Sequence, residues 1–243
     1  MKITAFNGSS RGKAGNTHIM VSEFLEGAKS AGAEVKNIIL LTKRIRHCLA
    51  CFECWYKTPG VCIQKDDTEE LLNEITNSDV IVLATPLYVD NVSGIMKNFL
   101  DRMLPLFDPH FEKDLNGIYR HKKRLKKYPN IVIIANSGYP EQEHFQVIKL
   151  LARRMARNFH SKIIGEIYRG AGELLRIKNP LIKPIIDNYK KLLRQAGKEV
   201  VLYGEITPQT SEKLQKPLLP KEQYVQKANR YWDKMIKKYS KDN

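Results

Sequence analysis

Two runs, Val80–Ala84 and Ile131–Ala135, are built from Val, Ile, Leu and Ala with no polar alternation. They are far too short to cross a bilayer. Strands of this composition belong in a parallel sheet whose two faces are both covered by helices. Three further strand candidates, Lys2–Phe6, Glu34–Leu40 and Lys162–Tyr168, join Val80–Ala84 and a fourth strand over Asn130–Ala135. Between them lie amphipathic segments at Asn16–Ala31, Asp66–Asn77, Ser93–Leu104 and Glu141–Phe159. In the first of these, Ile19, Met20, Phe24, Leu25 and Ala28 form one stripe, and Gly32 supplies a helix stop. Strand and helix alternate as a doubly wound α/β domain requires. Residues 1–170 are therefore expected to be one domain around a five-stranded parallel sheet, in the order 2-1-3-4-5.

Residues 171–243 read differently. Helical stretches are expected near Pro184–Ala196, Pro208–Leu214 and Lys221–Lys238, with Val200–Leu202 as a short strand candidate. A helical extension of this kind is expected to pack on the domain or on a neighbouring subunit.

The formal charge of +15 is unevenly placed. Residues 1–105 carry 12 Lys/Arg against 12 Asp/Glu, and the rest of the chain carries 29 against 14. The densest run, His121 to Lys127, is expected to be a solvated loop or short helix. Neither basic–aromatic interleaving nor a helix-turn-helix pattern accompanies it, which argues against a nucleic-acid partner. The opening residues run straight into Asn7-Gly8-Ser9 without the apolar core of a signal peptide. The expectation is a cytoplasmic protein with no membrane segment.

The first strand leads into Asn7-Gly8-Ser9-Ser10-Arg11-Gly12-Lys13-Ala14-Gly15-Asn16-Thr17 and then a helix. Glycines, short hydroxyl and amide side chains and two cations before a helix N-terminus suit a phosphate, though a capped turn would use the same residues. The dinucleotide pattern G-x-G-x-x-G and the Walker ending G-K-[ST] are both absent. Two more polar loops follow the third and fourth strands, Thr85–Gly94 and Asn136–Pro140. In the expected strand order all three open at one sheet edge, where such folds bind ligands.

These residues carry a resemblance. Gly8-Ser9-Ser10-Arg11 through Gly15-Asn16-Thr17, Pro86-Leu87-Tyr88 and Ser93 through Arg102 resemble the flavodoxin-like NADPH-dependent FMN reductases, and Cys48 through Asp67 resembles their iron–sulfur flavoprotein branch. The resemblance implies a flavodoxin-like fold and bound FMN. Ser9, Arg11, Asn16 and Thr17 would meet the phosphate. Pro86, Leu87, Tyr88 and Asn91 would line the ring and ribityl chain, with Asn136, Ser137 and Gly138 on the far side. It also implies a homodimer or homotetramer.

All four cysteines, Cys48, Cys51, Cys54 and Cys62, fall in one 15-residue window. Disulfide scaffolds spread their cysteines along the chain, so this clustering points to a metal or redox site. The C-x2-C-x2-C-x7-C spacing suits a [4Fe–4S] cluster. It does not suit zinc, which favours two separated pairs. Cysteines that merely pack in a loop are the other reading, and the bulky Trp55–Gly60 insert leaves both open. The six histidines form no metal-binding motif, although His144 follows the third loop and could reach a substrate.

The expected function is an FMN-dependent oxidoreductase. Reducing equivalents would pass from NAD(P)H through FMN to a small-molecule or flavin/quinone-type acceptor. The protein's part would be to bind and orient the ring, so no catalytic triad is needed. The alternative is an iron–sulfur flavoprotein that carries single electrons to a redox protein.

Overall fold

The structure is a computed structural model that describes residues 1–240. Its strands are β1 (Lys2–Asn7), β2 (Glu34–Ile39), β3 (Val80–Tyr88), β4 (Asn91–Val92), β5 (Phe107–Lys113), β6 (Tyr119–Lys123), β7 (Asn130–Asn136) and β8 (Ile163–Arg169). The α-helices are α1 (Asn16–Ser30), α2 (Glu53–Tyr56), α3 (Thr68–Thr76), α4 (Gly94–Asp101), α5 (Gln146–Asn158), α6 (Lys183–Tyr203), α7 (Pro208–Gln215) and α8 (Lys221–Tyr239). The main sheet has the order β2-β1-β3-β7-β8, all parallel. This is the expected flavodoxin-like order, with β4 folded back antiparallel on the end of β3.

The apolar strands alternate after all, between two cores. Ile81 and Leu83 of β3 and Ile131 and Ile133 of β7 face a cluster built on α3, α4 and α5. Val80 and Val82, with Val132 and Ile134, face α1 and α6 on the opposite side. Each fully buried Ile, Leu or Val contributes roughly 1.5–3 kcal/mol. A polar residue on either face would lose that and strand a polar group as well.

Helix α6 is integral to the second core. Leu193, Ala196 and Val200 lie on one face and are wholly buried against α1. The two backbones touch. A Cβ on Gly27 would collide with the Arg194 carbonyl, and one on Gly197 with the Phe24 carbonyl. Val200–Leu202, a strand candidate in the sequence, is the last turn of this helix. Packing against α1 overrides the β preference of the Val-Val pair.

The basic run is only partly the solvated loop the sequence suggested: Arg124–Lys127 is loop, but His121–Lys123 is not. Tyr119–Lys123 is a strand, paired antiparallel with β5 in a separate hairpin. Arg120 pairs with Glu112 at 3.0 Å, and the His121 ring packs on Phe111 and Trp55. Among the described residues, no helix is long and apolar enough to cross a membrane.

One buried carboxylate ties the C-terminal helices together. Glu199 of α6 accepts bonds from Thr207 N (2.9 Å), Thr207 Oγ1, Thr210 Oγ1 (2.7 Å) and Gln195 Nε2, at the N-terminus of α7. Burial alone would raise its pKa, but these donors outweigh burial and hold the carboxyl below its ordinary value. A depressed folded-state pKa stabilises the fold above the unfolded value, about 4.3, and that stabilisation fades as pH falls through the folded one. Glu199→Gln is expected to cost about 1–3 kcal/mol at pH 7. In urea titrations the gap from wild type should narrow below about pH 4.3; a gap independent of pH would contradict an ionised Glu199.

Candidate functional site

The loop after β1 is held by its own short side chains. Asn7 Oδ1 accepts from Ser9 N at 3.0 Å, and Ser9 Oγ accepts from Arg11 N at 3.3 Å. Gly12 takes a left-handed φ of 52°. Gly8 lies so near α4 that a Cβ there would sit 2.8 Å from Met96 Cβ. Helix α1 then starts at Asn16 without any side-chain cap. The His18 N–H donates to the Gly15 carbonyl, but the positive dipole end of the helix stays without a side-chain cap and suits an anion. Asn16 Oδ1 and Asn7 Nδ2 are buried without a hydrogen-bond partner among the described residues.

Cross-links between loops set the rest. Ser93 Oγ donates to the Gly8 carbonyl at 2.6 Å, and its N–H donates to Thr85 Oγ1, tying the loop after β3 to the loop after β1. Asn136 Nδ2 donates to Thr17 Oγ1 at 2.7 Å, tying in the loop after β7. One open cleft results. Ser9, Arg11, Asn16 and Thr17 line it from the first loop, Pro86, Leu87 and Tyr88 from the second, and Asn136, Ser137 and Gly138 from the third. Ser9, Thr17 and Ser137 each accept one bond and keep a hydroxyl hydrogen to donate. Asn91 is not brought in. It is exposed on β4, with its side chain accepting from Val92 N.

A fourth loop, after β8, also walls this cleft, and the sequence reading missed it. Glu173 lines the cleft and pairs with Arg11 at 3.4 Å, both side chains being more than half exposed. Arg176 donates to the Ala14 carbonyl. Gly172 N donates to the Ser137 carbonyl, and a Cβ on Gly172 would crowd Asn136. The signal available was Gly170-Ala171-Gly172 at the carboxyl end of the last strand. Tyr224 of α8 reaches the same edge, donating to the Gly138 carbonyl at 2.6 Å. Beside it the His144 ring stacks on Tyr139 at 3.9 Å, with Glu141 and Asp90 flanking the imidazole.

The cysteines form a second site. Cys48, Cys51, Cys54 and Cys62 line one small pocket, all as free thiols. Ala50 (φ 50°) and Phe52 (φ 57°) are both left-handed, one on each side of Cys51. Each costs roughly 1–2 kcal/mol in a residue with a Cβ. Strain of this kind persists where a site needs the chain turned. Burial, and then the neighbouring Cys62, Cys48 and Cys51, push the Cys54 thiol up to about 11. Among the described residues no three Cys, His, Asp or Glu side chains close on a single metal ion. The thiols ring a cavity.

Arg102, just past α4, completes this wall and is 1% exposed. Its Nη1 donates to Asp66 Oδ2 (2.6 Å) and the Arg46 carbonyl (2.7 Å). Its Nη2 donates to Cys62 Sγ (3.2 Å) and Asp66 Oδ1 (3.3 Å). In the acidic run Asp66–Glu70, Glu69 and Glu70 lie in the first turn of α3. Asp66 is the buried partner of Arg102. Burial opposes its ionisation, and the Arg102, Arg46 N and Thr68 donors overcome that and hold the carboxyl well below the usual range.

An iron–sulfur flavoprotein of Archaeoglobus fulgidus is 38% identical over 144 residues, 58% of this chain and 58% of that protein. One from Methanocaldococcus jannaschii is 38% identical over 102 residues, 42% of this chain and 50% of its own length. The chain thus spans only half to three fifths of these curated relatives. An FMN-dependent NADH-azoreductase from Bacillus anthracis, solved in complex with FMN, shares the fold with a TM-score of 0.58 at 16% identity, over 82% of this chain and 99% of that one. The family model for NADPH-dependent FMN reductase matches residues 1–122, which include the first two cleft loops and the cysteine segment. With half of its length matched and the flavodoxin-like sheet in place, the chain belongs to the NADPH-dependent FMN reductase family.

Proposed function

We propose that the protein binds FMN in the cleft at the carboxyl edge of the sheet and works as an oxidoreductase, taking reducing equivalents from NAD(P)H and passing them to a small-molecule or flavin/quinone-type acceptor. The convergence of the loops after β1, β3 and β7 on one cleft supports this reading most directly. The uncapped α1 N-terminus, with Ser9, Asn16 and Thr17 around it, suits one phosphate group. Pro86, Leu87 and Tyr88 offer the flat apolar wall an isoalloxazine ring needs, and Asn136, Ser137 and Gly138 offer polar groups opposite. When bound, FMN supplies two-electron chemistry with the nicotinamide and one- or two-electron chemistry with the acceptor. NAD(P)H should bleach the bound flavin anaerobically; a flavin that bleaches only with a chemical reductant would contradict the donor.

Arg11 carries a prediction of its own. Its pair with Glu173 is exposed and so worth only about 0.2–1 kcal/mol, which a phosphate dianion can outcompete. Arg11→Ala is expected to weaken FMN binding by about 1.5–3 kcal/mol. Riboflavin, which has no phosphate, should lose far less. Glu173→Gln should tighten FMN alone, because it frees Arg11 and removes a like charge. Fluorescence titration with both ligands decides it, and equal changes for the two would place Arg11 away from the phosphate.

A second reading is favoured by the strained turns at Ala50 and Phe52, which set four thiols around one cavity. These residues fit a [4Fe–4S] cluster, which would add one-electron transfer toward a redox protein. Helix α4 links the two sites. It starts beside Ser93 at the cleft and ends beside Arg102 at the cysteines, about 12 Å along its axis. About four irons and four sulfides per chain in anaerobically purified protein would support the cluster, and none would contradict it.

The assembly we propose is a homodimer or homotetramer. Helix α8 buries none of its residues, and Tyr231, Trp232 and Ile236 are each at least 55% exposed. A second copy covering that face should appear as twice the chain mass or more in light scattering; a monomer at micromolar concentration would contradict it.

A further inference from the structure

A buried ion pair is expensive. Desolvation can exceed the attraction, and a well-packed apolar pair is often as stable or more so. Arg102 and Asp66 are nonetheless 1% and 0% exposed at their side chains. Asp66 does not use up the guanidinium. Two of its bonds go to Asp66 and one to the Arg46 carbonyl, leaving Nη2 to donate to Cys62 Sγ at 3.2 Å. A neutral thiol is a weak acceptor, whereas a thiolate is a charged one. A guanidinium held at fixed angle against one cysteine of four is therefore matched to an anionic sulfur. Arg's rigid planar fork also fixes the directions of its bonds to carboxylate and sulfur, which the rotatable ammonium of Lys does not.

We infer that Arg102 is a positioning residue that sets the reduction potential of a [4Fe–4S] cluster held by Cys48, Cys51, Cys54 and Cys62, through its Nη2–H···Sγ bond to Cys62. The inference rests on the cluster reading above. Reduction of the cluster by one electron adds one negative charge beside the guanidinium and moves no proton. A fixed cation and an N–H donor stabilise the more negative state, so Arg102 raises the potential. Hydrogen bonds to sulfur and net charge are the levers by which proteins tune such clusters. Asp66 acts through Arg102, orienting the fork, and is itself oriented by bonds from Arg46 N and Thr68 N.

The test uses the whole chain, purified anaerobically, as wild type, Arg102→Gln and Arg102→Lys. Iron and sulfide are measured first, then the midpoint potential by mediated titration followed by absorption and electron paramagnetic resonance. Arg102→Gln should shift the reduction equilibrium about tenfold toward the oxidised cluster, a fall of about 59 mV for a one-electron couple. Arg102→Lys keeps the charge and loses the fork, so its potential should fall by less. Because Lys still pairs with Asp66, this variant decides the matter if Arg102→Gln does not fold. An unchanged potential in a variant with full iron overturns the role of Arg102 and leaves the cluster reading standing. Wild-type protein without iron and sulfide overturns the cluster reading itself, and the inference with it.

Discussion

Gly197→Ala is expected to destabilise the protein by about 3 kcal/mol, the upper end for overpacking a well-packed contact. The added methyl would meet the Phe24 carbonyl and the Ala28 N–H of α1. Backbone cannot swing aside as a side chain can, so the two helices must separate. Leu193, Ala196 and Val200, all fully buried between them, would then lose their packing. Gly27→Ala attacks the same contact from the other helix, at the Arg194 carbonyl. The double variant should cost less than the sum, because the first methyl has already parted the helices. Denaturant unfolding of the three variants measures this. A change under about 0.5 kcal/mol for Gly197→Ala, the usual size for a surface site, would mean that α6 does not dock on α1.

Asp66→Ala is expected to cost about 3–5 kcal/mol, the penalty for leaving a buried charge without its partner. Arg102 would keep only the Arg46 carbonyl and Cys62 Sγ as acceptors. The loss of Asp66 also releases Arg46, whose N–H its carboxylate accepts at 2.8 Å. Replacing both partners by apolar residues of similar volume, Asp66→Leu with Arg102→Met, should be far milder, since no charge is left stranded. A double variant as unstable as Asp66→Ala would contradict this. It would assign the cost to loop anchoring instead of the charge.

Much of the frame is legible in the sequence because burial writes itself into composition. Val80–Ala84 and Ile131–Ala135 have the short, β-branched apolar composition of strands covered on both faces, and the Ile19–Ala28 stripe follows one helix face. The cleft loops are legible for the same kind of reason: Ser9, Asn16, Thr17, Asn136 and Ser137 follow strand ends where chains of this type need short donors. What is not legible depends on distance along the chain. Glu173 reaches Arg11 across 162 residues, and Arg102 reaches Cys62 and Asp66 across 40 and 36. No local spacing announces such pairs. The β5–β6 hairpin is hidden for another reason. Pro109 and a strongly charged composition mask its pairing, which rests on Arg120–Glu112 and the aromatic contacts of His121.

Mass analysis of the cofactor released from purified protein, after reconstitution with an equal mixture of FMN and FAD, tests the assignment of the cleft most directly. One uncapped helix N-terminus can hold one phosphate, and no dinucleotide fingerprint is present for a pyrophosphate. One FMN per chain is the expected result. Recovery of FAD, or of no flavin at all, would contradict FMN binding in this cleft.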